Sequence, residues 1–280
     1  MKILDGHIHI GPGPVDREAL LDRMKAAGVE GGVLISLRPP TFRRLDGAAD
    51  SAVQRLDNLL AWAGGSRSLH PFFWIDPMED GALDQVSLAV ERGAMGFKII
   101  CGAFYPGEAR ALKVYAAIAR AGKPILFHSG ILWDGQPSGP FNRPANFEAL
   151  LEIESLRFSL AHISWPWCDE LIAVYGKMIN AARRIGPTVP RMFIDTTPGT
   201  PPIYRREALT KLFTVGYPVE DNVIFGVDSS ANQYSTAYAR EWIDRDMEIL
   251  RSIGVSEATR GKVFAGNLEG FLGLTPQAVG

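Results

Sequence analysis

The sequence predicts an α/β protein folded as a single (β/α)8 barrel over residues 1–280, and three observations predict it. Short apolar runs rich in β-formers recur eight times, stretches with helical periodicity lie between most of them, and residues able to hold a metal stand at the ends of those runs. Strand, helix and strand repeating at intervals of roughly 25–40 residues call for parallel strands with helical crossovers, and eight such units close a barrel. An open doubly wound sheet has the same alternation. Against it, the first turn, "HIGPGPVD", lacks the GxGxxG fingerprint, and its prolines would deny backbone N–H groups to a phosphate.

The strands are expected in "KILDGHIHI" from Lys2, "GVLISL" from Gly32, "PFFWID" from Pro71, "GFKIIC" from Gly96, "PILFHS" from Pro124, "RFSLAHI" from Arg157, "RMFIDT" from Arg191 and "NVIFGVD" from Asn222. Helices are expected in "DREALLDRMKAAG", "ALDQVSLAVERG", "EARALKVYAAIARAG", "CDELIAVYGKMINAARRIG", "REALTKLFTVG" and "AREWIDRDMEILRSIG", several of which close on Gly as helix ends prefer. Three long irregular segments, "LRPPTFRRLDGAAD", "GILWDGQPSGPFNRPANF" and "DTTPGTPPIYRRE", follow strands two, five and seven. In a barrel they share the rim of the active site, where they would form pocket walls. No low-complexity linker or internal repeat divides the chain.

Composition points to small-molecule chemistry. A net charge of -2 with scattered Lys and Arg gives no basic field for nucleic acid. Cys101 and Cys168 lie far apart without CxxC spacing, which fits a reducing compartment and a cytoplasmic location. Met1 leads within two residues into the first strand, leaving no room for a signal peptide, and no apolar run approaches the ~20 residues of a membrane helix. A soluble protein that is neither secreted nor membrane-bound is expected.

The polar residues at the strand ends carry the functional reading. His7 and His9 are one residue apart, so in a strand both imidazoles face the same way. Lys98 lies in strand four, His128 ends strand five, His162 ends strand six and Asp228 ends strand eight. Taken singly, a buried histidine is more often a hydrogen-bonded core residue, and an aspartate at a strand end often caps the next helix. Together, four of the five histidines end three strands on one rim. Neutral imidazoles and a carboxylate converging at a barrel mouth suit a divalent metal. His70 begins strand three at the opposite rim and is expected to be structural. Asp5 shares the parity of His7 and His9 one pleat deeper, as a core residue or a support for them.

The set "DGHIHI", "GFKII", "ILFHSG", "LAHISWPWCDE" and "VIFGVDSS", with the closing "FAGNLEGFLGL", resembles the amidohydrolase superfamily, in the amidohydrolase-2 branch that contains aminocarboxymuconate-semialdehyde decarboxylase and its hydrolase relatives. The resemblance implies that His7, His9, His128 and Asp228 hold one catalytic divalent metal per chain, commonly Zn2+ with Mn2+ as the other candidate. It implies that His162 contacts the metal's water or the substrate, and that Asp228 and His162 are the catalytic pair. In two-metal relatives a carboxylated strand-four lysine is the bridge, and Lys98 stands at that place; otherwise it neutralises carboxylates or binds an acidic substrate group. Two departures stand out. Strand eight ends in "GVDSSAN" where the family has Gly-Thr-Asp, a bulky residue and proline, and Cys101 occupies the place where many relatives have a histidine and proline after the lysine motif.

The implied chemistry is hydrolysis of a small amide, lactone or ester by a metal-activated water, Asp228 taking and returning the proton and His162 polarising the carbonyl. The rival is non-oxidative decarboxylation of a small carboxylic acid, aromatic acids included, by the same ligands; a third reading leaves catalysis out, the barrel keeping its metal for stability or acting as a binding module. Arg38, Arg205 and Arg206 could hold a substrate carboxylate, unless they are simply solvated. Rim aromatics including Phe104, Tyr105, Trp133, Trp165, Trp167, Tyr204 and Tyr234 could wall a pocket for a flat substrate, or pack between loops or subunits. A homodimer suits a barrel of this kind.

Overall fold

The structure is a computed structural model that describes residues 1–42 and 50–274. Part of the rim loop expected after strand two, residues 43–49, and residues 275–280 of the expected domain lie outside the described residues.

The strands and helices run β1 (Leu4–His9), α1 (Arg17–Ala26), β2 (Gly31–Ile35), α2 (Ala52–Ala63), β3 (Leu69–Trp74), α3 (Ala82–Glu91), β4 (Gly96–Ile99), α4 (Ala109–Arg120), β5 (Ile125–Phe127), β6 (Arg157–Leu160), α5 (Cys168–Ile185), β7 (Arg191–Asp195), α6 (Pro202–Thr214), β8 (Val223–Ile224), β9 (Ser229–Ser230), α7 (Thr236–Ser252), α8 (Glu257–Gly261) and α9 (Asn267–Leu272). The sheet order is β8-β7-β6-β5-β4-β3-β2-β1-β9, and every pairing is parallel. The expected eighth strand is split. β8 pairs with β7, β9 pairs with β1, and between them the Gly6 N–H donates to the Phe225 carbonyl at 3.0 Å, so the run from 223 to 230 closes the ring as one interrupted strand. The protein has the α/β barrel fold.

A helix absent from the expected set, α2, follows the strand-two loop. Its signal is local: Ser51 and Gln54 form a reciprocal capping box, and Gly64 at φ 52 closes the helix. The opposite pattern governs α6. Pro202 at its first position starts the helix before the expected "REALTKLFTVG", so residues read as rim loop are helical. Arg205 is thereby turned inward. It is fully buried and pairs with Asp246 of α7, Nε to Oδ1 at 2.9 Å and Nη2 to Oδ2 at 2.5 Å. The expectation that Arg205 contacts substrate is corrected: it clamps α6 to α7. Arg206 points outward to Glu248 and Ser252.

Two apolar layers follow from strand alternation. Leu4, Val33, Ile35, Phe72, Leu126 and Phe193 fill the barrel interior together with Leu268, Phe271 and Leu272 of α9, which plugs the end where the strands begin. The larger layer packs the helices on the outside of the barrel. Asn267 docks α9 by donating to the Val223 and Glu220 carbonyls at 2.8 and 2.9 Å. His70, near the start of β3, is buried with Nδ1 3.3 Å from Met95 Sδ, far from the other histidines in the fold. Cys101 belongs to the outer layer beside Tyr115, where burial pushes its thiol pKa up. Among the described residues no helix is long and apolar enough to cross a membrane.

Removing one partner of a buried pair leaves an uncompensated charge, so Asp246→Ala is expected to lose about 3–5 kcal/mol of stability by urea denaturation, whereas Arg206→Ala on the exposed pair should stay within about 1 kcal/mol. Equal effects would contradict the assignment of Arg205 to the α6–α7 interface.

Candidate metal centre

β1 carries a β-bulge. Asp5 faces Gly32 of β2 but Ile8 faces Leu34, three steps against two, so one residue is inserted between them. The bulge breaks the parity expected of Asp5: Leu4 packs inside the barrel, whereas Asp5 bonds Tyr234 of the outer layer. Beyond the bulge His7 and His9 both face the mouth, with their Nε2 atoms 3.2 Å apart.

Strand eight supplies the third group. Between β8 and β9 the backbone leaves the sheet, and Asp228 sits at φ 53 in the left-handed region. Asp5 compensates for the interruption. Its Oδ1 accepts from the N–H of Val227 at 2.8 Å and of His7 at 3.0 Å, and its Oδ2 from the Tyr234 hydroxyl at 3.1 Å. Asp228 Oδ1 then lies 3.6 Å from Nε2 of both His7 and His9. These three residues form a group that could hold a metal ion, their ligand atoms all within 4.8 Å of one another.

Other side chains surround the group. His7 Nδ1 lies 2.9 Å from Asp195 Oδ2; a carboxylate only accepts, so Nδ1 carries the proton and Nε2 offers its lone pair to the mouth. Lys98 Nζ lies 3.4 Å from that same Nε2. His128 stands one step back, its ring 4.9 Å from that of His162 and its Nε2 buried without a hydrogen-bond partner. His162 Nδ1 is 2.9 Å from Thr197 Oγ1. Its backbone, with Ile163 and Ser164, is left-handed at φ 63, 47 and 52, and for β-branched Ile163 that conformation costs about 1–2 kcal/mol. Gly199 makes room for this turn, since a Cβ there would fall 2.7 Å from His162 Cβ.

Burial dominates the electrostatics. It holds His7 and His128 well below the ordinary imidazole pKa and lowers His9 and His162 to about 3, with Lys98 adding to the depression in each case. All four rings are therefore neutral at pH 7, the form that ligates metal. Lys98 is itself lowered to about 8 by burial, against the pull of Asp228 and Asp195. Asp228 is raised to about 6, although 31% of its side chain reaches the cavity; burial outweighs the attraction of Lys98. Asp195 is raised by burial and held back by His162 and Thr197.

A donor set of two imidazole nitrogens and a carboxylate oxygen, facing one another with lone pairs, is a poor arrangement without a cation and a good one with it. The orphaned Nε2 of His128 adds a further nitrogen donor beside the set. The residues fit a divalent metal.

The cavity above the centre measures about 290 Å³ and is lined by His7, His9, Lys98, His128, His162 and Asp228 on its floor, with Trp74, Trp133 and Trp165 among its walls. Of the expected substrate contacts, Trp133 and Trp165 are in place, near-parallel with ring centres 6.5 Å apart. Tyr204 stacks on Trp165 at 6.3 Å but lines the neighbouring depression instead. Arg38 is exposed and absent from the cavity wall among the described residues. Asp195 and Trp74 were not singled out in the sequence. Each ends a strand on the same rim, which is the signal that would have found them.

A family model described as amidohydrolase matches residues 48–274. The chain belongs to the amidohydrolase family. The match begins beyond the His7–His9 pair, so the first two ligand candidates stand on geometry alone. A search of curated proteins gives no match. Among solved structures, 2,6-dihydroxybenzoate decarboxylase from Rhizobium superposes with a TM-score of 0.63 at 16% identity, over 98% of this chain and 99% of that one. Dihydroorotase from Campylobacter jejuni follows with 0.60 at 16% identity over 99% and 84%, and amidohydrolase 2 from Bifidobacterium longum subsp. infantis with 0.58 at 12% over 98% and 100%. Likeness at this identity is of fold. Barrels of this shape therefore include a protein named a decarboxylase, and the reaction has to be argued from the site.

A carboxylate on the far nitrogen of a metal-ligating imidazole fixes its tautomer and raises its basicity. Asp195→Ala is expected to weaken Zn2+ binding by about 10–100-fold in competition with a chromogenic chelator; unchanged affinity would show that His7 is not a ligand.

Proposed function

We propose that this amidohydrolase-family chain is a metal-dependent hydrolase of a small amide, lactone or ester. His7, His9 and Asp228 would hold one Zn2+, with His128 completing the set and Mn2+ as the other candidate. One observation carries the reading: two imidazole nitrogens and a carboxylate oxygen converge within 3.2–3.6 Å on the floor of a cavity. Bound there, a divalent cation would supply Lewis acidity, acidifying water and polarising a carbonyl.

The chain's own residues would do the remaining work. Asp228, with a carboxylate oxygen open to the cavity, takes a proton from the attacking water and returns it to the leaving amine or alkoxide. His162 is neutral. With the Thr197 hydroxyl donating to Nδ1, its proton sits on Nε2 as a donor for the carbonyl oxygen where negative charge develops. Lys98 supplies positive charge beneath the carboxylates; its lowered pKa of about 8 would also ease carboxylation, the two-metal alternative.

Decarboxylation has two observations in its favour: the fold shared end to end with 2,6-dihydroxybenzoate decarboxylase, and the near-parallel Trp133 and Trp165, which would suit a flat acid. Among the described residues Lys98 is the one lysine or arginine lining the cavity, and neither Arg38 nor Arg205 stands on its wall.

Asp228→Asn is expected to lower kcat by about 10²–10⁴-fold on whichever ester, lactone or amide is turned over, with an unchanged melting curve. Chelation should abolish turnover and Zn2+ restore it. Release of CO2 from aromatic acids with no hydrolysis in the same screen would overturn the reading in favour of the rival.

A further inference from the structure

His7 and His162 are neighbours on the cavity floor, with ring centres 5.4 Å apart. Burial keeps both rings neutral at pH 7, so each has one proton to place on one of two nitrogens. Both rings are bonded to one short turn. It begins at Asp195, the last residue of β7, and is closed by the Thr197 N–H donating to Asp195 Oδ1 at 2.6 Å.

The turn makes opposite demands of the two rings. To His7 it presents an acceptor, since Asp195 Oδ2 lies 2.9 Å from Nδ1. To His162 it presents a hydroxyl, since Thr197 Oγ1 lies 2.9 Å from Nδ1. Thr197 is fully buried, and among the described residues its hydroxyl has no second partner, so its hydrogen goes to the imidazole. A donating hydroxyl requires a lone pair on Nδ1, which leaves the ring proton on Nε2. Two glycines seat the parts. A Cβ on Gly226 would fall 2.5 Å from Thr197 Cγ2, and one on Gly199 would fall 3.2 Å from His162 Nδ1, so the Thr197 methyl and the His162 ring each lie against bare backbone.

We infer that Thr197 is a positioning residue, and that the Asp195–Thr197 turn sorts two adjacent histidines into opposite tautomers: His7 with an Nε2 lone pair for the cation, His162 with an Nε2 proton for the substrate. Those two roles are the ones proposed above, and the sorting rests on that reading only for them. An imidazole that keeps its Nε2 proton cannot ligate through that nitrogen. Thr197 thereby holds His162 out of the ligand set, although its ring is nearly as close to His7 as that of His9, 5.4 Å against 5.1 Å.

Long-range nitrogen–proton correlation spectroscopy reads the tautomers directly, on the full chain with isotopically labelled histidine rings at pH 7, before and after Zn2+ is added. His7→Gln and His162→Gln identify the two rings among the five histidines by loss of signal. The Nδ1–H form is expected for His7 and the Nε2–H form for His162, which keeps its proton when Zn2+ is present. Thr197→Val should move the His162 Nδ1 signal to that of a nitrogen without a donor and lower kcat about fivefold, with Zn2+ affinity unchanged, and Thr197→Ser should restore both. The Nδ1–H form in His162, Zn2+ bound to its Nε2, or a signal and a kcat untouched by Thr197→Val would overturn the inference. Zn2+ affinity measured on the same samples reports separately on the metal centre: opposite tautomers without Zn2+ binding defeat the metal reading alone, and Zn2+ held by His7 with both rings in one tautomer defeats the sorting alone.

Discussion

The buried carboxylate of Asp5 accepts hydrogen bonds from the N–H groups of His7 and Val227 and from the Tyr234 hydroxyl, and so replaces the ladder that strands one and eight give up at the mouth. Both strands are irregular at the same level, β1 by a bulge and the eighth strand by a break. Backbone groups released from a ladder inside a barrel wall must find other partners, because a buried unpaired N–H costs about 1–3 kcal/mol. One side chain satisfies two of them. The bulge turns His7 and His9 inward together, the break lets Asp228 adopt a left-handed conformation, and the three ligand candidates meet because one carboxylate holds both irregularities. Burial raises the pKa of that carboxylate to about 7 against the pull of its three donors, a sign of how far the arrangement is removed from solvent.

Around this frame the buried charges are balanced. Four neutral imidazoles, one lysine and the carboxylates of Asp195 and Asp228 share a small volume, and burial opposes the charged form of every one of them. Lys98 stabilises the acids, the acids stabilise Lys98, and the lysine in turn keeps the histidines unprotonated. The result is a set of lone pairs turned toward one point. Such a cluster is costly as a structural core and useful as a ligand set, which weighs against a purely structural role for the rim histidines.

The barrel and the convergence of polar residues were legible in the sequence because both depend on short-range pattern: apolar runs of strand length, helical periodicity, and His or Asp at the same end of several runs. What was illegible depends on interruptions. The inserted residue in β1 cannot be seen in "KILDGHIHI", yet it reverses the side to which Asp5 points. The continuous run "NVIFGVD" conceals a break whose partner is Asp5, more than two hundred residues away. Arg205 was misplaced for a local reason: Pro202 begins α6 early, and that shift of phase converts a rim arginine into an interhelical clamp. The α2 helix, by contrast, announces itself in Ser51, Gln54 and Gly64, and so was readable from caps alone.

The central claim is that one divalent cation sits among His7, His9 and Asp228. Crystals grown with Zn2+ and measured on both sides of the zinc absorption edge test it most directly. A single strong anomalous peak in contact with His7 Nε2, His9 Nε2 and a carboxylate oxygen of Asp228 is the predicted result. An ordered mouth with no peak there, or zinc held only by other residues, would contradict it.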